Sequence, residues 1–254
     1  MKEIRYFYAP DVATINELPA DEAAHCLKVL RLQSGDEMYV IDGCGGLYKA
    51  VITTTTGKRC LFRIEEESKM PKEWKGHLHL AVAPTKNNDR IEWLAEKATE
   101  IGLDELSFLN CRHSERRQIK TERIDKILVS AMKQSHKFSK PILNEITDFN
   151  RFVETAEGEQ KFIAHCYDES DICGDEKLEE NKGMMSGKPF LMDVLDADSD
   201  ALVLIGPEGD FSVDEVRYAL SHGFRSVHLG RSRLRTETAA LVAVHLMRIK
   251  HEVE

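Results

Sequence analysis

Two strand-and-turn segments constrain the fold of this chain more than any other feature of its sequence. The first, residues 201–212, reads ALVLIGPEGDFS, and the second, residues 226–239, reads SVHLGRSRLRTETA. A continuous apolar run such as residues 202–205 is typical of a strand that is buried on both faces of a parallel sheet. Ligands of such sheets bind just beyond the carboxyl ends of the strands. Both turns are therefore predicted to lie at one edge of one sheet, where they form a binding site.

The helix predicted between the two turns is well specified at both ends. Ser212 and Glu215 have the spacing of a capping box, and Gly223 is a natural residue just beyond a helix end. The loop that joins the first strand to this helix is therefore only five residues long. Its glycines, Gly206 and Gly209, predict positive φ angles and a close approach of the backbone to a ligand.

Together the two segments resemble the signature of the RsmE family, the ribosomal RNA small-subunit methyltransferases that modify a uridine at N3. The matching residues are LIGPEGDFS from Leu204 and LGxxxLRTETA from Leu229. This family belongs to the SPOUT class, in which a trefoil-knotted backbone makes the S-adenosylmethionine (SAM) pocket. The resemblance implies an α/β fold with a parallel sheet and a carboxyl-terminal knot. It also implies methylation of a specific uridine in 16S ribosomal RNA.

The same resemblance implies that SAM is the methyl donor, that no metal takes part, and that backbone groups of both turns bind SAM. The residues expected in the SAM pocket are Leu204, Ile205, Gly206, Pro207, Glu208, Gly209, Leu229, Gly230, Leu234, Arg235 and Thr236. Asp210 stands where relatives often have a second glycine. Because Asp tolerates the left-handed conformation, the loop is expected to keep its shape.

Chemistry at uracil N3 needs help from charged side chains, because the neutral base carries a proton there and is a poor nucleophile. Arg235 is the expected catalytic stabiliser, since a guanidinium stays cationic and offers a planar set of donors, and Arg233 is the second choice. Glu208 or Glu237 is expected to accept the proton directly or through water. The alternative for Glu237 is a residue that only stabilises a helix start through the helix dipole.

Composition limits the classes of partner. The chain has 254 residues, with 35 Lys and Arg against 44 Asp and Glu, a net charge of −9. An acidic total argues against indiscriminate coating of nucleic acid, but it allows a local basic surface. No apolar run approaches the ~20 residues that span a bilayer, and the first residues lack the apolar core of a signal peptide. The six cysteines contain no C-x-x-C pair. We expect a cytoplasmic protein with reduced thiols and no membrane association.

The pattern predicts two domains, residues 1–72 and 73–254, joined by a charged linker at residues 65–76. Short β-rich runs with glycine-bearing turns predict a small β module in the first domain. The resemblance identifies this module as a PUA-like barrel that helps to hold RNA. In the second domain, an apolar strand, an amphipathic helix and a further strand follow one another between residues 78 and 109. That order predicts an α/β domain with a parallel sheet.

One helix is predicted across residues 21–31, with Val29 among its inward-facing residues. It matches the family pattern H-x-x-x-V-L-R, so that His25 and Arg31 are expected to contact RNA. The alternative makes His25 a packing or capping residue and leaves Arg31 as a solvated charge. His77 and His79 share one face of a later strand, but no third potential metal ligand is evident near them, so that a structural role is expected.

A basic strip surrounds a helix that is predicted to begin near Thr121. Its residues are Arg112, His113, Arg116, Arg117 and Lys120 before the helix and Lys133, His136, Lys137 and Lys140 near its end. Lys and Arg gain affinity for phosphates by releasing counterions. We expect RNA contacts from Arg112, Arg116, Arg117 and Lys137, with a solvated helix face as the alternative. Where the family has Glu-Gln-Ser-x-Arg, this chain has Lys133 and Lys137 at the first and last positions.

The last predicted helix, residues 236–250, is apolar almost all round and must be buried against the domain core or a second subunit. The resemblance implies a homodimer through this region. Residues 168–188 have no periodicity and are expected to form a mobile loop. Two alternative functions are a SPOUT methyltransferase acting on another RNA, such as transfer RNA, and a non-catalytic RNA-binding protein.

Overall fold

The computed structural model describes residues 5–173 and 187–252, which fall into two compact units. The described residues of Met1–Lys72 and Leu128–Lys140 form the first unit, and those of Glu73–Ile127 and Pro141–Glu254 form the second. The segment Leu128–Lys140 therefore belongs by its contacts to the first unit, although it follows strands of the second unit in the sequence. Four of the nine residues of the predicted basic strip lie in this segment.

The first unit is a four-stranded sheet with its own hydrophobic core. Its strands are β1 (Tyr6–Tyr8), β2 (Glu37–Ile41), β3 (Gly46–Thr56) and β4 (Arg59–Lys69). β1 pairs with β2 in parallel, and the other neighbours pair antiparallel. β4 continues to Lys69, where it pairs with Gly46. The predicted linker at residues 65–76 was therefore wrong in its first part, because a long polar hairpin is as charged as a linker.

The helix predicted across residues 21–31 changes its winding part-way. An α-helix, α1 (Ala20–Ala24), passes into a π-helix at His25–Val29, and the N–H of Leu30 donates to the carbonyl of His25. Val29 is 66% exposed, so its predicted inward position was wrong. The wider turn of a π-helix moves each following side chain off the face that a 3.6-residue period predicts.

The reversed charge at Lys133 has a partner inside the first unit. Lys133 lies near the end of α3 (Thr121–Gln134) and forms an ion pair with Glu22 of α1. The two side chains are only 21% and 12% exposed, so water screens the pair poorly. An acidic residue at 133 would bring two carboxylates together. The departure from the family pattern is therefore matched by a nearby opposite charge.

We predict that Lys133→Glu lowers the free energy of unfolding of the first unit by about 2–4 kcal/mol, since it leaves two partly buried carboxylates unpaired. The double change Lys133→Glu with Glu22→Lys should recover most of that loss. Hydrogen exchange of the amides in the first unit measures both effects in the whole chain. As a control, Lys75→Glu breaks a pair with Asp198 that is 57% and 72% exposed, and the loss should be much smaller because water screens that pair. Equal losses in the two single variants would contradict the prediction.

The second unit is a six-stranded parallel sheet between helices, which confirms the predicted α/β class. Its strands are β5 (Leu78–Val82), β6 (Glu105–Asn110), β7 (Ile142–Asp148), β8 (Gln160–Ala164), β9 (Ala201–Ile205) and β10 (Arg225–Val227), in the order β10-β8-β9-β5-β6-β7. Its further helices are α2 (Asn88–Ile101), α4 (Phe149–Thr155), α5 (Glu169–Cys173), α6 (Leu191–Val194), α7 (Val213–Ser221) and α8 (Thr236–Lys250). Across the described ranges, the helices are too short or too polar to cross a membrane.

The middle strands of this sheet end at one level. Ile205 at the end of β9 pairs with Val82 of β5 on one side and with Ala164 of β8 on the other. Ala164 in turn pairs with Val227, the last residue of β10. The residues that follow β8, β9 and β10 therefore emerge side by side at the carboxyl edge of the sheet. Two of these three turns are the ones predicted from the sequence.

Part of the mobile loop predicted for residues 168–188 is helical, because α5 occupies its start. Residues 174–186 of that predicted loop lie outside the described residues. His77 and His79 share a face, and the Glu105 carboxylate of the neighbouring strand lies 2.7 Å and 3.6 Å from their ring nitrogens, which agrees with the structural role expected of them. No group of three or more His, Cys, Asp or Glu residues within 5–173 and 187–252 is arranged to hold a metal ion.

Candidate functional site

A cavity of about 540 Å³ opens beyond the carboxyl ends of β8, β9 and β10. The turns after these three strands form its wall, together with Arg90 of α2 and the start of α8. The predicted SAM-binding residues that line it are Ile205, Gly206, Pro207, Glu208, Leu229, Gly230, Leu234, Arg235 and Thr236. Leu204 and Gly209 do not line it: Leu204 belongs to the buried core, and Gly209 lies against His113.

Asp210, rather than a glycine, makes the sharp bend in the turn after β9. Its φ is 63°, and its carboxylate accepts hydrogen bonds of 2.8 Å from the N–H groups of Cys166 and Phe211. Gly206 and Gly209 do not have the predicted positive φ angles, because the left-handed position falls at Asp210. A Cβ on Gly206 would lie 3.0 Å from the nitrogen of Phe211, so a glycine is needed there for tight packing.

The helix after this turn begins as the sequence predicts. Ser212 and Glu215 form a complete capping box at the start of α7, and Gly223 just after the helix has a φ of 85°. The other oxygen of Glu215 accepts a 2.8 Å hydrogen bond from the N–H of Arg112. The turn between β9 and α7 is therefore fixed at both ends before any ligand arrives.

The turn after β8 forms a third wall that the sequence analysis did not assign to the site. Buried Lys188 donates to the carbonyls of His165 (2.6 Å) and Tyr167 (2.8 Å) and so holds this turn in place. The His165 ring contacts the hydroxyl of Ser226 at 2.8 Å. Burial and the nearby Lys188 lower the pKa of His165 to about 3, so that the ring is neutral at pH 7. A polar residue directly after a buried strand was the only sequence signal for this wall.

The turn after β10 is held by a side chain of its own. His228 Nδ1 accepts a 3.1 Å hydrogen bond from the N–H of Gly230, whose φ is 122°. The His228 ring also stacks on Phe190, with ring centroids 5.5 Å apart. Burial and the charge of Lys188 lower the pKa of His228. At pH 7 the ring is therefore neutral, with its proton on Nε2, and it can keep the acceptor bond to Gly230.

The charged side chains near the cavity differ in whether they already have a hydrogen-bond or ion-pair partner. Arg235 lines the cavity and is exposed, and its guanidinium has no hydrogen-bond or ion-pair partner in the part of the chain that the structure describes. Glu208 also lines it, and one oxygen accepts a 2.9 Å bond from the N–H of Lys86. Glu237 is only 8% exposed and lies outside the lining, 3.5 Å from Arg90. Of the two predicted proton acceptors, Glu208 is therefore the one at the cavity.

Comparison with known proteins agrees with this geometry. The model of an RNA methyltransferase domain matches residues 72–248, and that of an RNA methyltransferase PUA domain matches residues 18–65. The first match alone covers more than half of the chain. The chain belongs to the RNA methyltransferase family. The resemblance inferred from the two turns is thereby confirmed.

Relatives of this RNA methyltransferase are similar over nearly their whole length. It is 27% identical to the ribosomal RNA small subunit methyltransferase E of Rickettsia conorii, over 92% of this chain and 89% of that protein. A crystal structure from Porphyromonas gingivalis, named a probable rRNA methyltransferase, is 41% identical, has a TM-score of 0.86 and covers 98% of both chains. A Legionella pneumophila methyltransferase solved with bound SAM is 25% identical, has a TM-score of 0.81 and covers 97% of this chain and 98% of its own.

The arginines of the methyltransferase that were predicted to bind RNA are not equivalent. Arg112 pairs with Asp214 at 3.2 Å, and Arg116 donates to the backbone carbonyl of Lys86 at 2.5 Å. Arg117 is exposed and has no such partner within residues 5–173 and 187–252. Of the three, only Arg117 presents an unused guanidinium to a phosphate.

The other predicted RNA contacts of the methyltransferase lie in the first unit. His25 begins the π-helix and is exposed, and Arg31, also exposed, has a φ of 55°. Lys137 lies just beyond α3 and is half-buried. A left-handed conformation at a residue other than Gly, Asn or Asp is uncommon and is found most often at functional positions. The pattern H-x-x-x-V-L-R thus coincides with an irregular, exposed piece of backbone.

We predict that acid releases the turn after β10, because a protonated His228 has no acceptor left for the N–H of Gly230. Its pKa is lowered in the folded protein, so the bond is intact at pH 7 and is lost only as the pH falls below the ordinary value near 6.5. The unfolded chain takes up this proton first, and stability falls in the same pH range. Ring nitrogen shifts of His228 and amide exchange of Gly230, followed from pH 7.5 downwards, measure both steps.

A matched variant distinguishes the loss of this hydrogen bond from a general loosening of the structure in acid. His228→Asn keeps a side-chain acceptor near the position of Nδ1 but does not titrate. The exchange rate of the Gly230 amide should then follow only the intrinsic pH dependence of exchange. A proton found on Nδ1 of His228 at pH 7 would contradict the assignment outright.

Proposed function

We propose that this methyltransferase transfers the methyl group of SAM to N3 of a uridine in the 16S RNA of the small ribosomal subunit. The observation that carries the proposal is the single cavity enclosed by the turns after β8, β9 and β10. Relatives named ribosomal RNA small subunit methyltransferase E support the substrate, and the SAM-bound relative from Legionella pneumophila supports the methyl donor. A cytoplasmic location follows from a substrate that is made and assembled there.

The cavity fits SAM in size and in chemistry. Its volume of about 540 Å³ is in the range of small-molecule sites. Nothing lies within 4 Å of the position that a Cβ on Gly230 would take, which leaves room along the backbone. Both histidines in its wall, His165 and His228, have lowered pKa values and are neutral at pH 7, so they do not repel a sulfonium. Bound SAM supplies a methyl group that its positive sulfur makes electrophilic.

Peptide groups of the three turns are proposed to hold the adenine and ribose of SAM. The buried Nδ1 of His165 has no partner among the described residues, which leaves one polar atom of the wall available to a ligand or water. We also propose that the backbone here forms the trefoil knot expected of the family. The strand order supports this, because β10 follows β9 in the sequence but pairs on the far side of β8.

Arg235 and Glu208 are proposed to act on the uracil. The Arg235 guanidinium lines the cavity without a partner in the described ranges, so it is available to stabilise the negative charge that develops on the base as N3 loses its proton. Glu208 has one oxygen committed to Lys86 and the other free, and it is the better placed carboxylate to take that proton. Glu237 is proposed to fix Arg90 instead.

RNA is proposed to contact both units. In the second unit, the free guanidinium of Arg117 is proposed to bind a phosphate, with Arg112 and Arg116 shaping the same loop. In the first unit, His25, Arg31 and Lys137 are the proposed contacts. The match of residues 18–65 to a PUA domain of RNA methyltransferases supports that role for His25 and Arg31.

A homodimer is proposed through α2 and α8, which pack on each other. Each helix leaves a large apolar side chain in solvent, with Trp93 of α2 43% exposed and Ile249 of α8 39% exposed. The half-buried positions Leu241, Val242 and Leu246 extend the apolar character of α8. Covering such side chains by a second copy removes apolar surface from water.

We predict that Arg235→Ala lowers kcat for methylation of small-subunit RNA by about 100-fold, because it removes a charge that acts mainly in the transition state. Affinity for SAM, measured by calorimetry, should change less than about three-fold. Methylated uridines mapped in cells that lack this protein, before and after complementation, identify the modified base. Arg225→Ala changes an exposed arginine at the start of β10 that does not line the cavity, so it is the matched control and should restore full modification. Full modification by the Arg235 variant would remove Arg235 from the mechanism.

We predict that Trp93→Glu converts the homodimer to a monomer, since it places a charge in the proposed apolar interface. Light scattering should give twice the mass of the chain for the wild type and the mass of one chain for the variant. Ile142→Glu changes another exposed apolar residue, on β7, and should leave the dimer intact. A wild-type protein that is monomeric at micromolar concentration would refute the proposed interface.

A further inference from the structure

A second cavity, of about 370 Å³, opens at the same edge of the sheet as the first. It lies beyond the carboxyl ends of β6 and β7, and its wall includes Asn110 and Asp148, the last residues of those strands. The segment that follows β9 forms a wall of both cavities. Residues 206–208 and 210 line the first, and Ser212, Asp214 and Glu215 line the second. The two cavities therefore share one rigid wall.

Most charged side chains in the wall of the second cavity already have a hydrogen-bond or ion-pair partner. Asp214 pairs with Arg112 at 3.2 Å, and both oxygens of Glu215 are held by the Arg112 N–H and by Ser212. By contrast, Asn110 Oδ1 is buried without a partner in the described structure. A buried acceptor without a donor costs stability, so a ligand or water that donates to it is favoured.

Two further groups suit a nucleotide. Arg117 lines the cavity, and its guanidinium, a group well suited to phosphate, has no partner among the residues that the structure describes. Tyr218 also lines it, and its ring is held in place by a hydrogen bond from its hydroxyl to Glu154 and by packing against the ring of His222, with centroids 4.3 Å apart. Stacking on an aromatic ring is a common way to hold an unpaired base of RNA.

We propose that the second cavity receives a nucleotide of the substrate RNA that neighbours the target uridine, and that its base carries an exocyclic amino group. This inference rests on the proposed function, which places the target base at the first cavity. The amino group is favoured because the free groups of the wall, Asn110 Oδ1 and one oxygen of Asp148, are acceptors. The phosphate binds Arg117. Uracil fits poorly, because its single base donor, N3–H, lies between two carbonyl oxygens that these acceptors would repel.

The test is binding of single nucleotides to the full-length protein, followed by amide shifts. Adenosine and cytidine 5′-monophosphates should shift the amides of Asn110, Cys111 and Asn150, and uridine 5′-monophosphate should bind about five-fold more weakly or not at all. Asn110→Leu should weaken adenosine monophosphate by about five- to ten-fold, the effect of one hydrogen bond. Equal affinity for the three nucleotides, or shifts confined to the first cavity, would overturn the proposal.

Arg117→Ala gives an independent reading that does not depend on the packing around Asn110. It should weaken adenosine monophosphate by about five-fold and leave adenosine, which has no phosphate, unchanged. Arg225→Ala is the matched control and should alter neither. The same loss for the nucleoside and the nucleotide would show that Arg117 only supports the loop and would overturn the assignment of the phosphate.

These binding measurements need no methyl transfer, so they separate the two proposals. Nucleotide binding as stated, in a protein that leaves small-subunit RNA unmodified, would refute the proposed function and keep the second cavity as a nucleotide site. Modification of the RNA without nucleotide binding would do the reverse. With both intact, Asn110→Leu should raise the KM for RNA and leave the affinity for SAM unchanged, a split that a general loss of stability would not give.

Discussion

The site depends above all on the common level at which β8, β9 and β10 end. Because Ala164 pairs with both Ile205 and Val227, three turns leave the sheet side by side, and each must be kept from collapsing into the hollow between them. Two charged side chains, Asp210 and Lys188, hold the turns in place. Asp210 ties the turn after β9 to the turn after β8, and Lys188 pulls on two carbonyls of the latter. The cavity is thus held open by the protein itself, before any ligand binds.

A protein with a net charge of −9 must still present cations to RNA, and the structure shows how the two demands are met. Some of its arginines have partners within the protein: Arg112 pairs with Asp214, and Arg116 donates to backbone carbonyls. Others, such as Arg117 and Arg235, lie next to the two cavities without a side-chain partner in the part of the chain that the structure describes. The number of basic residues in the strip therefore overestimates how many of them can contact RNA. The residues available to phosphate are those whose charge has no partner among the described residues.

Local rules of sequence predicted those parts of the site that local contacts determine. The capping box at Ser212 and the glycine just after α7 are set by a few neighbouring residues, and they formed as expected. The third wall of the cavity was missed because it depends on which strand lies beside β9, and the order of strands is decided by contacts far apart in the sequence. The π-helix at His25–Val29 was missed because its apolar residues fit a regular helix equally well.

Two departures from the family pattern lead to the same physical conclusion. A glycine at position 210 would supply only a left-handed bend, whereas Asp210 supplies the bend, a hydrogen bond within its own turn and a hydrogen bond to the turn after β8. Lys133 replaces an acidic residue, and Glu22 supplies the opposite charge within the same unit. In the first case a left-handed bend is present although the residue that makes it differs. In the second case a charged residue differs and an opposite charge lies beside it. A family motif therefore states which bends and charges must be satisfied, and the contacts of each residue show how this chain satisfies them.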